Sequence, residues 1–304
     1  MTVLRFHTLD VFTDRRFGGN PLGIVFGGES LPDSEMQIIA REFILSETVF
    51  VLAPTDPGAT HRVRIFSPGR ELPFVGHPTI GTAILLAQLG EARPTRSGSI
   101  VVLEEKVGLV PVTIRLDSGQ VPFAQLTSAR LPEQGPRAPD AAALADALSL
   151  DPADVLATAE ERPEAWSAGV PYLMVPLRDR QALARASLPE DRWRRTLRQY
   201  WSPDVYVFCR DPERSGSAIR ARMFAPEFGI VEDPATGSAA VALAGYLAGR
   251  VSNTAGTQRW IVEQGFEMGR PSLLYLEADI AGGTISAVRL GGTAVRVLEG
   301  TLPL

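Results

Sequence analysis

The feature that most constrains this chain is a short motif that occurs twice. Residues 76–83 read GHPTIGTA, and residues 232–239 read EDPATGSA, at an offset of 156 (233 − 77). A second pair lies upstream in the same order, RIFSP at 64–68 and RMFAP at 222–226, at an offset of 158 (224 − 66). Two motif pairs in the same order and at nearly the same offset predict two copies of one structural unit.

Each copy of the motif places an ionisable residue before a proline, His77 in the first copy and Asp233 in the second. The alanine-rich stretch that follows predicts a helix, with starts at Gly81 and Gly237. The free N–H groups of a helix start and the positive end of the helix dipole favour an anion. Two ordinary capped helices are the alternative, but an ionisable residue at the same position in both copies favours a site for a carboxylate.

The composition is that of a globular protein whose length allows about two domains of ordinary size. Of its 304 residues 45% are hydrophobic, and the net charge is −5 with no long basic run. We therefore expect neither nucleic acid nor an anionic membrane surface as a partner. The N-terminus lacks the apolar core of a signal peptide, and no segment approaches the ~18 apolar residues of a membrane span. These features predict a cytoplasmic protein.

The small numbers of cysteine and histidine residues limit which disulfides and metal sites the chain can form. The single cysteine, Cys209, excludes a disulfide within the chain, and three histidines without paired spacing argue against a transition-metal site. No Gly-x-Gly-x-x-Gly follows a strand, and no phosphate-loop lysine pattern is present. We therefore expect no metal and no cofactor.

Glu47 stands where a predicted helix gives way to a strongly apolar strand at 48–52. A solvent-facing glutamate at a strand end is one interpretation, and it is a common arrangement. A carboxylate held in a poorly solvated place, with its pKa raised for general acid/base work, is the other. The residues alone do not decide between them.

Each half of the chain reads as several short strands around one apolar helix, and the turn spacing favours antiparallel pairing. The predicted fold class is therefore α+β. Three prolines and a glycine between 130 and 140 mark the best candidate linker. The predicted domains are residues 1–129, completed by a last strand at about 288–304, and residues 130–287.

Seven segments in one order carry a resemblance to a known family. They are DVFT at 10–13, GNPL at 19–22, LSET at 45–48, ELPFVGHPT at 71–79, EDPATGSA at 232–239, QG at 264–265 and GRPS at 269–272. With these segments, which span nearly the whole chain, it resembles the PhzF-like family of phenazine biosynthesis. That family comprises cofactor-independent isomerases of the diaminopimelate-epimerase fold. The resemblance implies two pseudo-symmetric lobes, each a curved antiparallel sheet rolled round a central helix, with the active site in the cleft between them.

The resemblance also implies roles for individual residues. Glu47 matches the family's general acid/base, and His77 and Asp233 match its partners in the site. The roles of Asn20 and Arg270 stay open. The expected substrate-binding residues are Gly76, Gly237, Ser238, Ser46 and Thr82.

The related epimerases carry a cysteine in the motif of each lobe. Here Thr82 and Ser238 stand at those positions, and the only thiol, Cys209, lies in a predicted strand. Racemisation by two cysteines is therefore excluded.

The best-known reaction of the family isomerises trans-2,3-dihydro-3-hydroxyanthranilate by moving a proton between carbons. A single carboxylate can take that proton at one carbon and return it at the other, provided that its pKa is tuned and water is kept away. The resemblance thus implies an isomerase of the proton-shift or epimerase class, acting on a small cyclic or unsaturated carboxylate in secondary metabolism. The expected partners are this anionic substrate and, for the assembly, a second copy of the chain in a homodimer.

Two alternatives remain open. The first is a lyase or hydrolase on the same scaffold, with Glu47 activating water. The second is a non-catalytic protein that binds a small carboxylate, although such a protein would not need Glu47, His77 and Asp233 together. The mass of the product separates the first alternative from an isomerase, because isomerisation leaves the mass of the substrate unchanged.

Overall fold

The structure is a computed structural model that describes residues 3–96, 98–116, 121–251 and 255–304. The chain forms two compact units. The first comprises Met1–Thr127 with Gly291–Leu304, and the second comprises Ser128–Leu290. Among the described residues, no helix combines the length and the apolar character needed to cross a membrane.

The first unit holds nine strands that end before residue 128, and two helices, within its described part. The strands are β1 Val3–Val11, β2 Asn20–Phe26, β3 Glu47–Leu52, β4 His61–Phe66, β5 Glu71–Leu72, β6 Arg93–Thr95, β7 Gly98–Glu105, β8 Gly108–Arg115 and β9 Phe123–Thr127. The helices are α1 Asp33–Phe43 and α2 Gly76–Gln88.

The second unit contains the next eight strands of the described chain, together with four α-helices. The strands are β10 Glu133–Gln134, β11 Glu164–Ser167, β12 Pro171–Pro176, β13 Val205–Cys209, β14 Ile219–Ala225, β15 Ile230–Asp233, β16 Gly256–Gln264 and β17 Ser272–Ala281. The helices are α3 Ala141–Ala147, α4 Arg180–Arg185, α5 Glu190–Thr196 and α6 Gly237–Ala248. Short 3₁₀ turns lie at Pro152–Asp154 and Pro226–Phe228, and the last strand, β18 Thr284–Pro303, runs from the second unit into the first.

The strands of the first unit form a closed ring. In order, β1, β2, β3, β4, β7, β8 and β9 are hydrogen-bonded neighbours. The last strand, β18, pairs with both β9 and β1 and so closes the ring. A closed ring leaves none of these strands as a free edge.

Helix α2 packs against the strands of this ring and is apolar on every side. Its residues from Gly76 to Ala87 are all buried. A helix that is apolar all round is stable only with protein on every side, because exposure of its apolar side chains to water is unfavourable. Helix α6 has the same character in the second unit, where it packs against β11, β12 and β17.

Both units show the same series of strand pairings. In the first, β1–β2 is antiparallel, β2–β3 parallel, β3–β4 antiparallel, β4–β7 parallel and β7–β8 antiparallel. In the second, β11 through β14, β16 and β17 repeat that alternation step for step. The predicted α+β class is confirmed, with a fold made mostly of sheet.

The expectation of purely antiparallel sheets is wrong, because each unit contains two parallel pairs. Parallel neighbours need a crossover between them, and a tight hairpin cannot supply one. In the first unit the crossovers contain α1, between β2 and β3, and α2, between β4 and β7. The short polar turns in the sequence predicted hairpins, and no local pattern indicated these crossovers.

The predicted start of α2 is also wrong. The helix begins at Gly76 and not at Gly81, whereas α6 begins at Gly237 as predicted. Gly81 therefore lies inside α2, where an added Cβ would meet the side chains of Leu22 and Val11 at 2.6 and 2.7 Å. Glycine is needed there for close packing of helix on sheet, and not for a helix start.

Candidate active site

Three secondary-structure elements of the first unit bring polar side chains together at their first residues. Asn20 begins β2 and Glu47 begins β3, whose parallel register sets Glu47 opposite Leu22. His77 is the second residue of α2. All three are buried, with relative exposures of 0% for Asn20, 9% for Glu47 and 3% for His77. Burial of Glu47 excludes the solvent-facing interpretation that the sequence left open.

The imidazole of His77 lies between the other two side chains. Its Nε2 is 3.2 Å from Glu47 Oε2, and its Nδ1 is 3.5 Å from the amide nitrogen of Asn20. An amide nitrogen can only donate, so Nδ1 accepts and the ring hydrogen of a neutral imidazole resides on Nε2. The nitrogen that carries the ring hydrogen therefore lies next to the carboxylate of Glu47, although the two atoms are not aligned as a hydrogen bond.

Burial lowers the pKa of His77 from 6.5 to about 3, because the charged imidazolium loses its hydration inside the protein. The ring is thus neutral at pH 7. A neutral imidazole with so low a pKa is a poor base, so His77 does not compete with the neighbouring carboxylate for a proton.

A second buried carboxyl group, that of Glu105, contacts the first turn of α2. The hydroxyl of Thr79 donates to Glu105 Oε1 at 2.7 Å and lies 2.9 Å from the carbonyl oxygen of Val75. Glu105 is 6% exposed, and burial raises its pKa to about 8. This carboxyl group is therefore largely protonated at neutral pH, so it adds little negative charge beneath the helix that carries His77.

In the second unit, Asp233 ends β15 within a dense hydrogen-bond network. The hydroxyl of Thr236 donates to Asp233 Oδ2 at 2.5 Å. The side-chain amide of Gln264 donates to the carbonyl oxygen of Asp233 at 2.8 Å and to the hydroxyl of Thr236 at 3.0 Å. Its oxygen accepts from the backbone N–H of Thr236 and from the hydroxyl of Tyr206. The turn between Asp233 and α6 is therefore fixed by side chains.

Ser238 is the second residue of α6, and its hydroxyl lies 2.7 Å from that of Tyr172 on β12. Ser238 is half-buried, whereas Gly237 before it is buried. The first N–H groups of a helix have no partner within the helix, and the dipole there attracts negative charge. The start of α6 can thus accept a carboxylate, with the hydroxyl of Ser238 beside it.

The remaining predicted substrate-binding residues are placed differently. Gly76 is the first residue of α2 and is buried, and Ser46 is half-buried in the turn before β3. Thr82 is 0% exposed in the interior of α2, so it lies at no helix start and offers no surface to a substrate. The substrate-binding role was predicted for Thr82 because the helix was expected to start at Gly81.

No group of three or more histidine, cysteine, aspartate and glutamate side chains suited to a metal ion occurs in the described part of the chain.

Sequence reasoning missed Tyr172, Tyr206 and Thr236, and it assigned no role to Gln264. The tyrosines lie in apolar strands, where each reads as core. Thr236 stands opposite Ile80 in the repeat (236 − 156), so a comparison of the two copies passes over it. Only Gln264 carried a signal, as part of one of the segments that resemble the PhzF-like family.

Comparison with known proteins decides the family. A family model described as a phenazine biosynthesis-like protein, PhzC-PhzF, matches residues 9–300. The chain belongs to the PhzC-PhzF family. The membership predicted from the seven sequence segments is thereby confirmed.

Relatives of this PhzC-PhzF protein are named as isomerases. It is 43% identical over 299 residues to an uncharacterized isomerase of Mesorhizobium japonicum, covering 96% of each chain. It is 36% identical over 296 residues to the trans-2,3-dihydro-3-hydroxyanthranilate isomerase of Pseudomonas aeruginosa, covering 97% of this chain and 98% of that one. These relatives support an isomerase.

The crystal structure of a PhzF-family phenazine biosynthesis protein of Bacillus anthracis superimposes on the chain with a TM-score of 0.88. The match covers 100% of both chains at 26% sequence identity. The whole PhzC-PhzF chain therefore has the fold of its family.

Proposed function

We propose that this PhzC-PhzF protein is a cofactor-independent isomerase that moves a proton between two carbons of a small unsaturated carboxylate. The observation that carries the proposal is the pair formed by Glu47 and His77. In this pair the buried carboxyl group of Glu47 can take a proton, and the neutral imidazole of His77 does not compete for that proton. The isomerases among the relatives support the reaction class.

In the proposed reaction, the carboxylate of Glu47 takes a proton from the first carbon, and the electron pair of that C–H bond enters the conjugated system of the substrate. Protonated Glu47 then returns the proton to the second carbon, which uses an electron pair of the same system for the new C–H bond. No net proton, electron or water is consumed. The neutral imidazole of His77 stays beside the Glu47 carboxylate and keeps its own hydrogen throughout.

The proposed substrate class follows from the second motif copy. The N–H groups at the start of α6, with Ser238, suit a carboxylate. Asp233 receives the hydroxyl hydrogen of Thr236 and suits an amine or hydroxyl of the substrate as a hydrogen-bond acceptor. That both motif copies act on one substrate molecule stays a prediction. The compound named in the Pseudomonas aeruginosa relative, trans-2,3-dihydro-3-hydroxyanthranilate, is the first to test.

The test follows the proton in D₂O with that compound as substrate. Product formed with unchanged substrate skeleton, and with deuterium only partly incorporated at the receiving carbon, would indicate transfer by a sequestered carboxyl group. Glu47→Gln keeps the shape of the side chain and removes its titrating group, so we expect turnover to fall by roughly 10²–10⁴-fold. Glu42→Gln, at an exposed carboxylate of α1, is the matched control and should turn over like the wild type.

Near-native turnover by Glu47→Gln would remove Glu47 from the mechanism. A product that has gained or lost water would favour a hydrolase or lyase on the same scaffold. Mass spectrometry of the product distinguishes these results from isomerisation.

A further inference from the structure

The side chain of Gln264 makes all four hydrogen bonds that an amide offers in its position. It is 0% exposed at the end of β16. Its nitrogen donates to the carbonyl oxygen of Asp233 and to the hydroxyl of Thr236, at 2.8 and 3.0 Å. Its oxygen accepts from the hydroxyl of Tyr206 at 2.9 Å and from the backbone N–H of Thr236 at 3.1 Å. Both donors and both acceptor positions of the amide are thereby used.

This arrangement fixes the direction of the Thr236 hydroxyl. An amide nitrogen cannot accept, so Thr236 Oγ1 accepts from Gln264 and keeps its own single hydrogen for another group. That hydrogen goes to Asp233 Oδ2, 2.5 Å away. Gln264 does not bond to the carboxylate of Asp233, yet it determines which way the hydroxyl that does so is aimed.

The first unit shows what happens without a glutamine at this place. The parallel pairs β4–β7 and β14–β16 set Arg62 opposite Glu104 and Arg220 opposite Glu263, so the next residues, Glu105 and Gln264, correspond. Glu105 accepts the side-chain hydroxyl of Thr79, whereas Gln264 accepts the backbone N–H of Thr236.

The two helix starts differ at the residue that this side chain contacts, which is Thr79 in the first unit and, one position later in the repeat, Thr236 in the second. With Glu105, the backbone N–H of Thr79 bonds to Val75 and α2 already runs from Gly76. With Gln264, the backbone N–H of Thr236 is held by the amide oxygen, and α6 begins only at Gly237. The segment from Asp233 to Thr236 thus lies outside the helix in the unit where Gln264 holds the backbone N–H of Thr236.

We propose that Gln264 is a positioning residue for Asp233, which keeps residues 233–236 outside α6 and aims the Thr236 hydroxyl at the Asp233 carboxylate. The kinetic consequence rests on the proposed function, since it requires that Asp233 acts on the substrate. The structural consequence does not, and it can be measured without turnover.

The first measurement is the carboxyl ¹³C resonance of Asp233 at pH 7, assigned by its loss in Asp233→Asn. We expect Gln264→Leu to move this resonance in the same direction as Thr236→Val. The first variant removes the hydrogen bond that aims the Thr236 hydroxyl at Asp233, and the second removes the hydroxyl itself. Gln258→Leu, at a half-buried glutamine on the same strand, should leave it in place. An Asp233 resonance unchanged in folded Gln264→Leu would overturn the proposal.

Gln264→Glu covers the case in which the leucine variant does not fold. Of the titratable residues beside this side chain, Tyr206 contacts it through its hydroxyl, and Asp233 contacts it through its backbone carbonyl. Burial raises the pKa of the corresponding Glu105 to about 8, so a glutamic acid at 264 keeps one donor while it is protonated. We expect a wild-type Asp233 resonance at low pH, moving toward that of Thr236→Val as the new carboxyl group ionises. A resonance with the wild-type pH profile throughout would contradict the positioning role.

The second measurement is a double-mutant comparison of turnover. We expect Gln264→Leu to lower kcat by about 10- to 100-fold, the range for a misplaced site group. In an Asp233→Asn background the same change should cost no more than about twofold, because Gln264 acts through Asp233. An equal loss in both backgrounds would show that Gln264 acts elsewhere. Absence of any isomerase turnover would remove the proposed function and leave the resonance test standing.

Discussion

His77 and Asp233 occupy the same position of the repeated motif but offer opposite hydrogen-bonding character. His77 is a neutral ring whose Nε2, the nitrogen that carries the hydrogen, lies 3.2 Å from Glu47 Oε2. Asp233 accepts the hydroxyl hydrogen of Thr236. The motif therefore supplies a neutral ring beside Glu47 in the first unit and an acceptor in the second. Sequence showed that both residues are ionisable, but not that burial keeps one of them uncharged.

The lowered pKa of His77 predicts how stability depends on acid. The unfolded chain binds a proton at this side chain near its ordinary pKa of 6.5, whereas the folded protein does so only near 3. The contribution of His77 is therefore present above 6.5 and lost as the pH falls toward 3. The slope is at most about 1.4 kcal/mol per pH unit.

We expect His77→Gln to flatten the decline of the free energy of unfolding between neutral and acid pH. Urea unfolding across that range measures it, with His61→Gln, at a half-buried histidine of the first unit, as the control. A decline as steep in His77→Gln as in the wild type would show that folding does not lower the pKa of His77.

Among the secondary-structure elements, the start of α6 was predicted correctly from the sequence and the start of α2 was not. The repeat aligned Gly81 with Gly237 and so predicted equal starts, but α2 begins five residues earlier (81 − 76). The difference depends on which side chain, Glu105 or Gln264, reaches the turn from a strand 26 or 28 residues farther along the chain (105 − 79; 264 − 236). No local pattern contains that information, because it arises from tertiary contacts.

Glu105 makes the start of α2 sensitive to pH. Its pKa is raised from 4.5 to about 8, so the folded protein favours the protonated form. The stability that this gives is fully present below 4.5 and is lost as the pH rises through about 8. Glu105→Gln, which imitates the second unit, removes this dependence.

We expect the stability of Glu105→Gln relative to the wild type to increase between pH 5 and 8, by up to about 1.4 kcal/mol per pH unit. Denaturant unfolding at several pH values is the measurement. Glu104→Gln is the control, since hydrogen bonds from Thr55 and Asp56 hold the pKa of Glu104 below its ordinary value and outside this range. A constant difference between Glu105→Gln and wild type would mean that Glu105 is ionised in the folded protein.

At the scale of the whole chain, the family and the α+β class were predictable because seven segments and the apolar helices survive as local patterns. The mixed pairing was not, since the direction of a neighbouring strand depends on the crossover between them. The residues Glu47, His77 and Asp233 were found from motifs. Their surroundings, Asn20, Thr236, Tyr206 and Gln264, come together only through folding.

The last strand gives a prediction for the molecule as a whole. Strand β18 closes the ring of the first unit by pairing with β1 and β9, and Val295 stands opposite Asp10. Proline at this position removes a backbone N–H from a strand with neighbours on both sides, and a hydrogen-bond partner left unpaired costs about 1–3 kcal/mol. Val295→Thr is the matched control, because it keeps both the N–H and the β-branched shape.

The distribution of two residue types allows each unit to be followed separately. All three histidines lie in the first unit, at 7, 61 and 77, and all four tryptophans lie in the second, at 166, 193, 201 and 260. We expect the histidine proton resonances of Val295→Pro to show unfolding at lower urea than those of the wild type and Val295→Thr. An unchanged midpoint would show that ring closure does not stabilise the first unit. Tryptophan fluorescence of the same samples then reports cooperativity, since a transition that moves with the histidines indicates joint unfolding and one that stays indicates separate unfolding.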